Sequence, residues 1–360
     1  IIVSIVDFRK TKYIDIRYIK NIILIFFIFF IIAIIIFSQV YYRNLGIKRV
    51  AYHDGAQQTE IAFDLLQSGR NPYSETYYGT DLEKTQKYIF HNGEWSLNSA
   101  LEHYIYLPAT FIITGFFNIA QKAISGWSDI RLLTFLYLIG SLLILWRVMG
   151  VHPLKNLIII LFALNPFFLR FFIEGRNDII VLFWLIASFY MLYKNKFLLA
   201  GILFGVALST KQFAWIFIPF FLIYFLQMKI KSSQLILPKI KKFFLPAFIL
   251  TTIFIMPFLL WNPFAFVDDT ILYASGISKG LNYPITGFGF SRIVTLFGVK
   301  AQDSFPFWIP ITLVSLPLLY FLARWVWYQG TLTSVIFSTT IFMLFAFLFL
   351  SLIHISEPTR

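Results

Sequence analysis

A run of 22 residues, Asn21 to Tyr42, carries no charged side chain at all. At 1.5 Å per residue a helix of that length crosses about 30 Å of hydrocarbon. Nothing constrains the fold more, because inside a bilayer every backbone N–H and C=O must be satisfied within the segment or within a closed barrel. The pattern then repeats. Apolar runs follow at about 104–120, 131–146, 157–172, 179–193, 197–209, 213–226, 243–261, 307–327 and 332–349. Runs of this length, with no alternating period, predict an all-α polytopic transmembrane bundle of about 9–10 apolar segments. Hydrophobic residues make up 59% of the chain and charged residues 13%, which excludes an ordinary soluble core.

The first run lacks a small-residue cleavage site, so it is expected to be a retained helix and not a removed signal peptide. Arg9, Lys10, Lys12, Arg17 and Lys20 precede it. They predict a cytoplasmic N-terminus and an outer loop over 43–103. Lys229, Lys231, Lys239, Lys241 and Lys242, with no acid among them, predict that 227–242 is cytoplasmic as well. Seven runs lie between these two inner segments, yet an even number of crossings is required. One run must therefore fail to cross. The run at 197–209 is short, about 20 Å as a helix, and is one candidate. The run at 157–172 is interrupted by Asn165-Pro166 and contains Arg170, so it is the favoured place for a broken or re-entrant element. That choice puts Asn177-Asp178, Lys211 and the 262–306 loop outside. The formal charge of +13 lies mostly beside apolar runs, so orientation and anionic lipid account for it, not nucleic acid. With no cysteine, thiol catalysis, disulfides and thiolate metal sites are excluded. The end of the chain, Leu350 to Arg360, resembles the translation of a sequencing-library adapter and is left out of the functional reading. The expected domain is then 1–349, with a lost C-terminal continuation.

Polar chemistry is concentrated between Tyr52 and Pro108. Eight of the seventeen carboxylates and three of the five histidines lie there. Asp54 follows the first span closely, and Gly55 permits a sharp turn beside it. Thr59 to Gln67 predicts a short amphipathic helix lying on the membrane, with Ile61, Leu65 and Leu66 on one face. Gly69 should stop it, and Asn71-Pro72-Tyr73 should turn. Asp81 is the rival acid, but its surroundings suggest solvated loop. Tyr104, Tyr106 and Trp261 suit interface anchors. Gly201 and Gly205, four apart, suit close helix packing. His53, His91 and His103 have no metal-ligand spacing, so no metal is expected. Asp268 and Asp269 suit a structural or acceptor-side role.

Three blocks in order resemble a known family. The first is Asp54 in a long outer loop, Gly69-Arg70-Asn71-Pro72-Tyr73, then Tyr104-Ile105-Tyr106-Leu107-Pro108. The second is Asn177-Asp178, Ala200-Gly201 through Gly205 and Ala207, Lys211 and Pro219. The third is Trp261-Asn262-Pro263, Asp268-Asp269 and Tyr283-Pro284-Ile285. Together they are similar to the integral-membrane glycosyltransferases of the GT-C superfamily, nearest to the bacterial glycosyltransferase family 87 and mannosyltransferase-like group. The resemblance implies inverting transfer of mannose or another hexose, without a cofactor, at the outer face of a bacterial cytoplasmic membrane. The donor would be a polyprenyl-phosphate-linked sugar, and the acceptor a hydroxyl on a glycolipid, glycan or protein. Asp54 matches the family's loop carboxylate and would be the general base. Lys211 would meet the donor phosphate, with Arg176 and Arg170 as further phosphate partners. His53 would orient Asp54 or the acceptor. Tyr106, Asn177 and Asp178 complete the expected substrate-binding set. Each has a plainer reading: Asp54 as an ordinary loop carboxylate, Lys211 as a turn residue, Asn177 and Asp178 as a helix cap. The rival functions are a transporter or flippase of a lipid-linked sugar and a non-catalytic membrane subunit.

Overall fold

A computed structural model describes residues 16–47, 52–91, 94–231, 237–282, 285, 293–294, 296–299, 305–306 and 308–349. The Tyr283-Pro284 dipeptide, the basic stretch before residue 16 and the 350–360 tail lie outside them. In chain order the helices are α1 (Ile16–Asn44), α2 (Asp54–Gln67), α3 (Asp81–Gln86), α4 (Pro108–Ser125), α5 (Ile130–Met149) and α6 (Lys155–Ala163). Next come α7 (Pro166–Ile173), α8 (Asp178–Tyr193), α9 (Phe197–Thr210), α10 (Phe217–Lys231) and α11 (Leu237–Trp261). The last three are α12 (Pro263–Val267), α13 (Trp308–Gln329) and α14 (Leu332–Phe349). Two four-residue strands, β1 (Tyr88–His91) and β2 (Glu94–Leu97), pair antiparallel between α3 and α4. The expected all-helical bundle is thus the observed one, and the described residues between α1 and α4 are themselves folded. Four of the described helices, α1, α5, α11 and α13, are long and apolar enough to cross a membrane.

By its internal contacts the chain falls into two compact units, Ile1–Ala56 with Phe117–Ile179, and Gln57–Phe116 with Ile180–Arg360. In the first unit α1 buries a stripe at every fourth residue, Ile28, Ile32, Ile36 and Val40. Residues four apart stack on one helix face, so one edge of α1 meets protein. Phe26, Phe27, Phe30, Ile34 and Phe37 stay exposed, as a lipid-facing surface would. Phe29 and Phe37 rest on Phe135 of α5, with ring centroids 5.4 and 6.2 Å away. The expected break at Asn165-Pro166 is present. Helix α6 ends at Ala163, Asn165 caps α7 by accepting from the Phe167 N–H at 3.0 Å, and Pro166 opens it. The two helices are bent by 44°.

In the second unit α9 lies against α11 with no room for side chains at the contact. A Cβ on Gly201 would collide with the Phe243 carbonyl, and one on Gly205 would sit 2.8 Å from the Ala247 carbonyl. The Gly201/Gly205 pair is therefore a packing motif, as its spacing implied. Phe204, Phe221, Phe225 and Phe243 fill the adjoining core. Residues 57–67 of α2 depart from expectation. Ala62, Phe63 and Leu65 are buried in an aromatic cluster with Tyr73, Tyr77, Tyr104 and Phe111. The apolar face of α2 packs on protein, not on the membrane surface. Tyr104 and Tyr106 belong to the same cluster and are buried, so neither is an interface anchor; Trp261 is half exposed and fits that part. Three phenols of the cluster are satisfied inside it: Tyr73 donates to the Tyr106 carbonyl at 2.8 Å, Tyr77 to the Pro72 carbonyl at 3.3 Å and Tyr104 to the Thr59 hydroxyl at 3.4 Å.

Candidate active site

Asp54 is the first residue of α2, so its carboxylate sits at the positive end of a helix dipole. The Gly55 N–H donates to Asp54 Oδ1 at 2.6 Å, and His53 Nδ1 lies 3.0 Å from the same oxygen. Gly55 is helical, so the expected sharp turn after Asp54 is absent. A separate turn, between α7 and α8, has Gly175 at φ +82 in the same unit. A side chain there would be strained, and its Cβ would press on Arg131 Cγ at 3.1 Å. The turn brings the Glu174 carbonyl to the His53 N–H at 2.8 Å.

This junction gathers several residues that the sequence singled out. Glu174 Oε2 pairs with Arg176 Nε at 3.0 Å, and Oε1 with Arg170 Nε at 3.3 Å. The Arg176 guanidinium lies over the Phe171 ring at 4.1 Å. Asn177 is buried, and Asp178 is exposed at the start of α8. Burial pushes the His53 imidazole below its usual pKa. The Asp54 charge opposes that, Arg176 adds to the depression, and Glu174 and Asp178 counter it. All four charges thus act on one imidazole, in a group that can take a proton and hold an anion.

No local pattern announces the support behind Tyr52. Its ring is faced by Arg43 at 3.9 Å and by Arg131 at 4.8 Å. Both guanidiniums converge on Asp129, Arg43 through one contact of 3.0 Å and Arg131 through a fork of 2.9 and 2.7 Å. Burial alone would raise the Asp129 pKa. The hydrogen bonds and charge of Arg131, with the charge of Arg43, outweigh it and hold the carboxyl below its usual value.

The His53 environment predicts a pH dependence. A depressed histidine pKa means that the folded chain resists a proton which the unfolded chain accepts. Its contribution to stability is therefore present above about pH 6.5 and is lost as pH falls toward the folded pKa. The melting temperature of the parent should drop further between pH 7.5 and pH 5.5 than that of His53→Gln. Parallel profiles would show that His53 is not held neutral by the fold.

The second unit holds the other candidates. Lys211 is extended between α9 and the turn at Gln212–Ile216, with its Nζ 5.2 Å from the ring centres of both Tyr106 and Phe213. The junction is stitched to the segment entering α4. The Leu107 N–H and the Thr110 hydroxyl donate to the Thr210 carbonyl at 3.3 and 2.7 Å, and the Gln212 amide donates to Ile105 and Thr270 carbonyls at 2.8 and 2.9 Å. Lys211 and Tyr106, 105 residues apart in sequence, are neighbours. Asp81 opens α3 with its side chain 74% exposed and paired to Lys84, so the solvated reading of the rival acid holds.

A cluster that sequence spacing missed lies in the same unit. His103 Nδ1 is 2.8 Å from Asp269 Oδ1 and 3.8 Å from Asp268 Oδ2. The Tyr104 N–H donates to Asp269 Oδ2 at 2.9 Å, and the His103 ring stacks on Tyr273 at 4.5 Å. Burial raises the Asp269 pKa to about 6 against the opposing His103 hydrogen bond. The sequence around His103 carries no metal-ligand spacing, because its carboxylate neighbours come from far along the chain. The His91 side chain lies outside the described residues.

Four described helices long and apolar enough to cross a bilayer mark the class as a membrane protein. A family model for glycosyltransferase family 87 matches residues 104–351, well over half of the chain. The chain belongs to glycosyltransferase family 87. Tyr106, Arg176, Asn177, Asp178 and Lys211 fall within the matched segment, while His53 and Asp54 precede it. No curated protein matches the chain.

Proposed function

We propose that this glycosyltransferase moves a hexose from a polyprenyl-phosphate donor to an acceptor hydroxyl at the outer membrane face, with inversion, and that Asp54 is the general base. The observation that carries the reading is the Asp54 carboxylate at the head of α2, beside a half-buried His53 and in the same unit as Arg170 and Arg176. In the reaction the acceptor oxygen attacks the anomeric carbon as Asp54 takes its proton. The bond from that carbon to the phosphate oxygen breaks, and its electron pair leaves with the polyprenyl phosphate. Cations must stabilise the departing phosphate. Arg176, oriented by Glu174 and by the Phe171 ring, suits that role. Lys211 suits donor binding too, since aromatic rings flank its ammonium where a prenyl chain would meet its phosphate. His53 positions Asp54, and Asn177 and Asp178 provide polar contacts for sugar hydroxyls. The outer-face orientation rests on the lysines of 227–242.

Transport of the lipid-linked sugar is the second reading. The 44° break between α6 and α7 favours it, because broken helices often line transport sites. Membership of a glycosyltransferase family favours transfer. Purified protein supplied with radiolabelled polyprenyl-phosphate sugar and membrane-extract acceptors separates the two. Label leaving the prenyl carrier for an acceptor supports transfer; label crossing a vesicle bilayer while still on its carrier supports transport. In the same preparation Lys211→Ala should weaken donor binding by about 1.5–3 kcal/mol, the usual worth of a hydrogen bond to a charged group. Equal donor binding by parent and variant would leave Lys211 as a junction residue between α9 and α10.

A further inference from the structure

We propose that His103, Asp268 and Asp269 form a binding site for a divalent cation. One ligand atom from each lies within 4.8 Å of the others. Ligands about 2.0–2.2 Å from a zinc-like ion stand roughly 3–3.5 Å from one another. The spacings of 2.8 and 3.8 Å from His103 Nδ1 to the two carboxylates bracket that range.

The way the outer atoms are held points the same way. Asp269 Oδ2 accepts the Tyr104 N–H at 2.9 Å, and Asp268 Oδ1 faces the Lys279 N–H at 3.3 Å. Those contacts turn the remaining oxygens, Asp269 Oδ1 and Asp268 Oδ2, toward one imidazole nitrogen. The other imidazole nitrogen, Nε2, lies 3.4 Å from the Ser278 hydroxyl. With its proton directed there, Nδ1 is left as a lone-pair donor, the arrangement in which a histidine ligates metal while an outer partner fixes its tautomer. A plain histidine–aspartate hydrogen bond explains less of this, since one Nδ1 proton serves only one of two adjacent carboxylates. Glu102 adds negative charge nearby: a Cβ on Gly280 would lie 2.6 Å from its Oε2 and 3.0 Å from His103 Nε2. His103 and Asp269 are both at least 95% buried, so the ion would be shielded on their side. One imidazole and two carboxylates suit Zn²⁺ and Mn²⁺. The bound ion would fasten the segment entering α4 to the turn after α12, a role apart from the proposed chemistry at Asp54.

Full-length protein in detergent, stripped with a chelator and dialysed, should bind one equivalent of Zn²⁺ saturably. It should give a bound-Mn²⁺ signal by electron paramagnetic resonance, and either metal should raise its melting temperature. Asp268→Asn, at the more exposed edge of the cluster, should fold and weaken binding by about tenfold or more; His103→Gln should abolish it. If His103→Gln does not fold, Asp268→Asn decides the matter. Absence of saturable binding in the parent, or equal affinity in parent and Asp268→Asn, would reduce the cluster to a buried hydrogen-bonded pair.

Discussion

Asp54→Asn is expected to lose nearly all sugar transfer while keeping its expression, melting temperature and donor affinity. The substitution preserves size and still accepts the 2.6 Å hydrogen bond from the Gly55 amide, so the start of α2 should stay in place. What it removes is the ability to take the acceptor proton. Positioned acid–base groups contribute roughly 10²–10⁴-fold to rate, and the loss should fall in that range, in kcat more than in donor binding. Asp81→Asn is the internal control: its exposed carboxylate pairs only locally with Lys84 among the contacts described, and turnover should stay near the parent value. Turnover of radiolabelled polyprenyl-phosphate sugar by both variants, at saturating donor, makes the comparison. Near-normal turnover by Asp54→Asn, or equal losses in the two, would remove Asp54 from the base role.

Arg131→Met should be the most destabilising single change in the first unit. Arg131 is fully buried and holds Asp129, also fully buried, with a two-pronged contact. Removing one member of a buried pair costs about 3–5 kcal/mol, because the other is left charged in a poorly solvated place. Arg43 still contacts Asp129 at 3.0 Å, so the expected cost is near the lower end, about 3 kcal/mol. The double variant Asp129→Asn with Arg131→Met should recover part of the loss, since the unpaired charge goes with it. Denaturation in detergent, followed by tryptophan fluorescence, gives both values. A single variant as stable as the parent would show that Arg43 alone satisfies Asp129. The effect should also reach the candidate site, because Arg131 faces Tyr52, two residues before Asp54.

Much of this protein was legible in one dimension. Apolar run length alone predicted helices where α1, α4 to α11, α13 and α14 occur, because a segment in lipid must close its own hydrogen bonds, whereas the short α12 fell in a stretch read as loop. Local breakers were legible for the same reason. Asn165-Pro166 ends one helix and caps the next, and Gly69, at φ +74, ends α2. The Gly201/Gly205 spacing announced a close approach, although only the fold shows that the partner is α11. His53 beside Asp54 needed no folding to be noticed.

Errors arose where a property depends on what lies opposite. Tyr104, Tyr106 and the apolar face of α2 look like membrane-facing groups, since an amphipathic pattern does not say whether protein or lipid covers it. The aromatic cluster covers them with protein. Gly55 suggested a sharp turn beside Asp54, yet it lies inside α2. The sequence by itself determined the class of architecture, the helix limits and the concentration of carboxylates after the first span. Those follow from hydropathy and local backbone chemistry, which act over a few residues. Only the tertiary structure decided that Arg43 and Tyr52 gather around the buried Asp129–Arg131 pair, that Lys211 stands beside Tyr106, and that His103 meets Asp268 and Asp269. Charge pairing and ring contact depend on distance in space, and residues far apart in sequence carry no local pattern that would announce them.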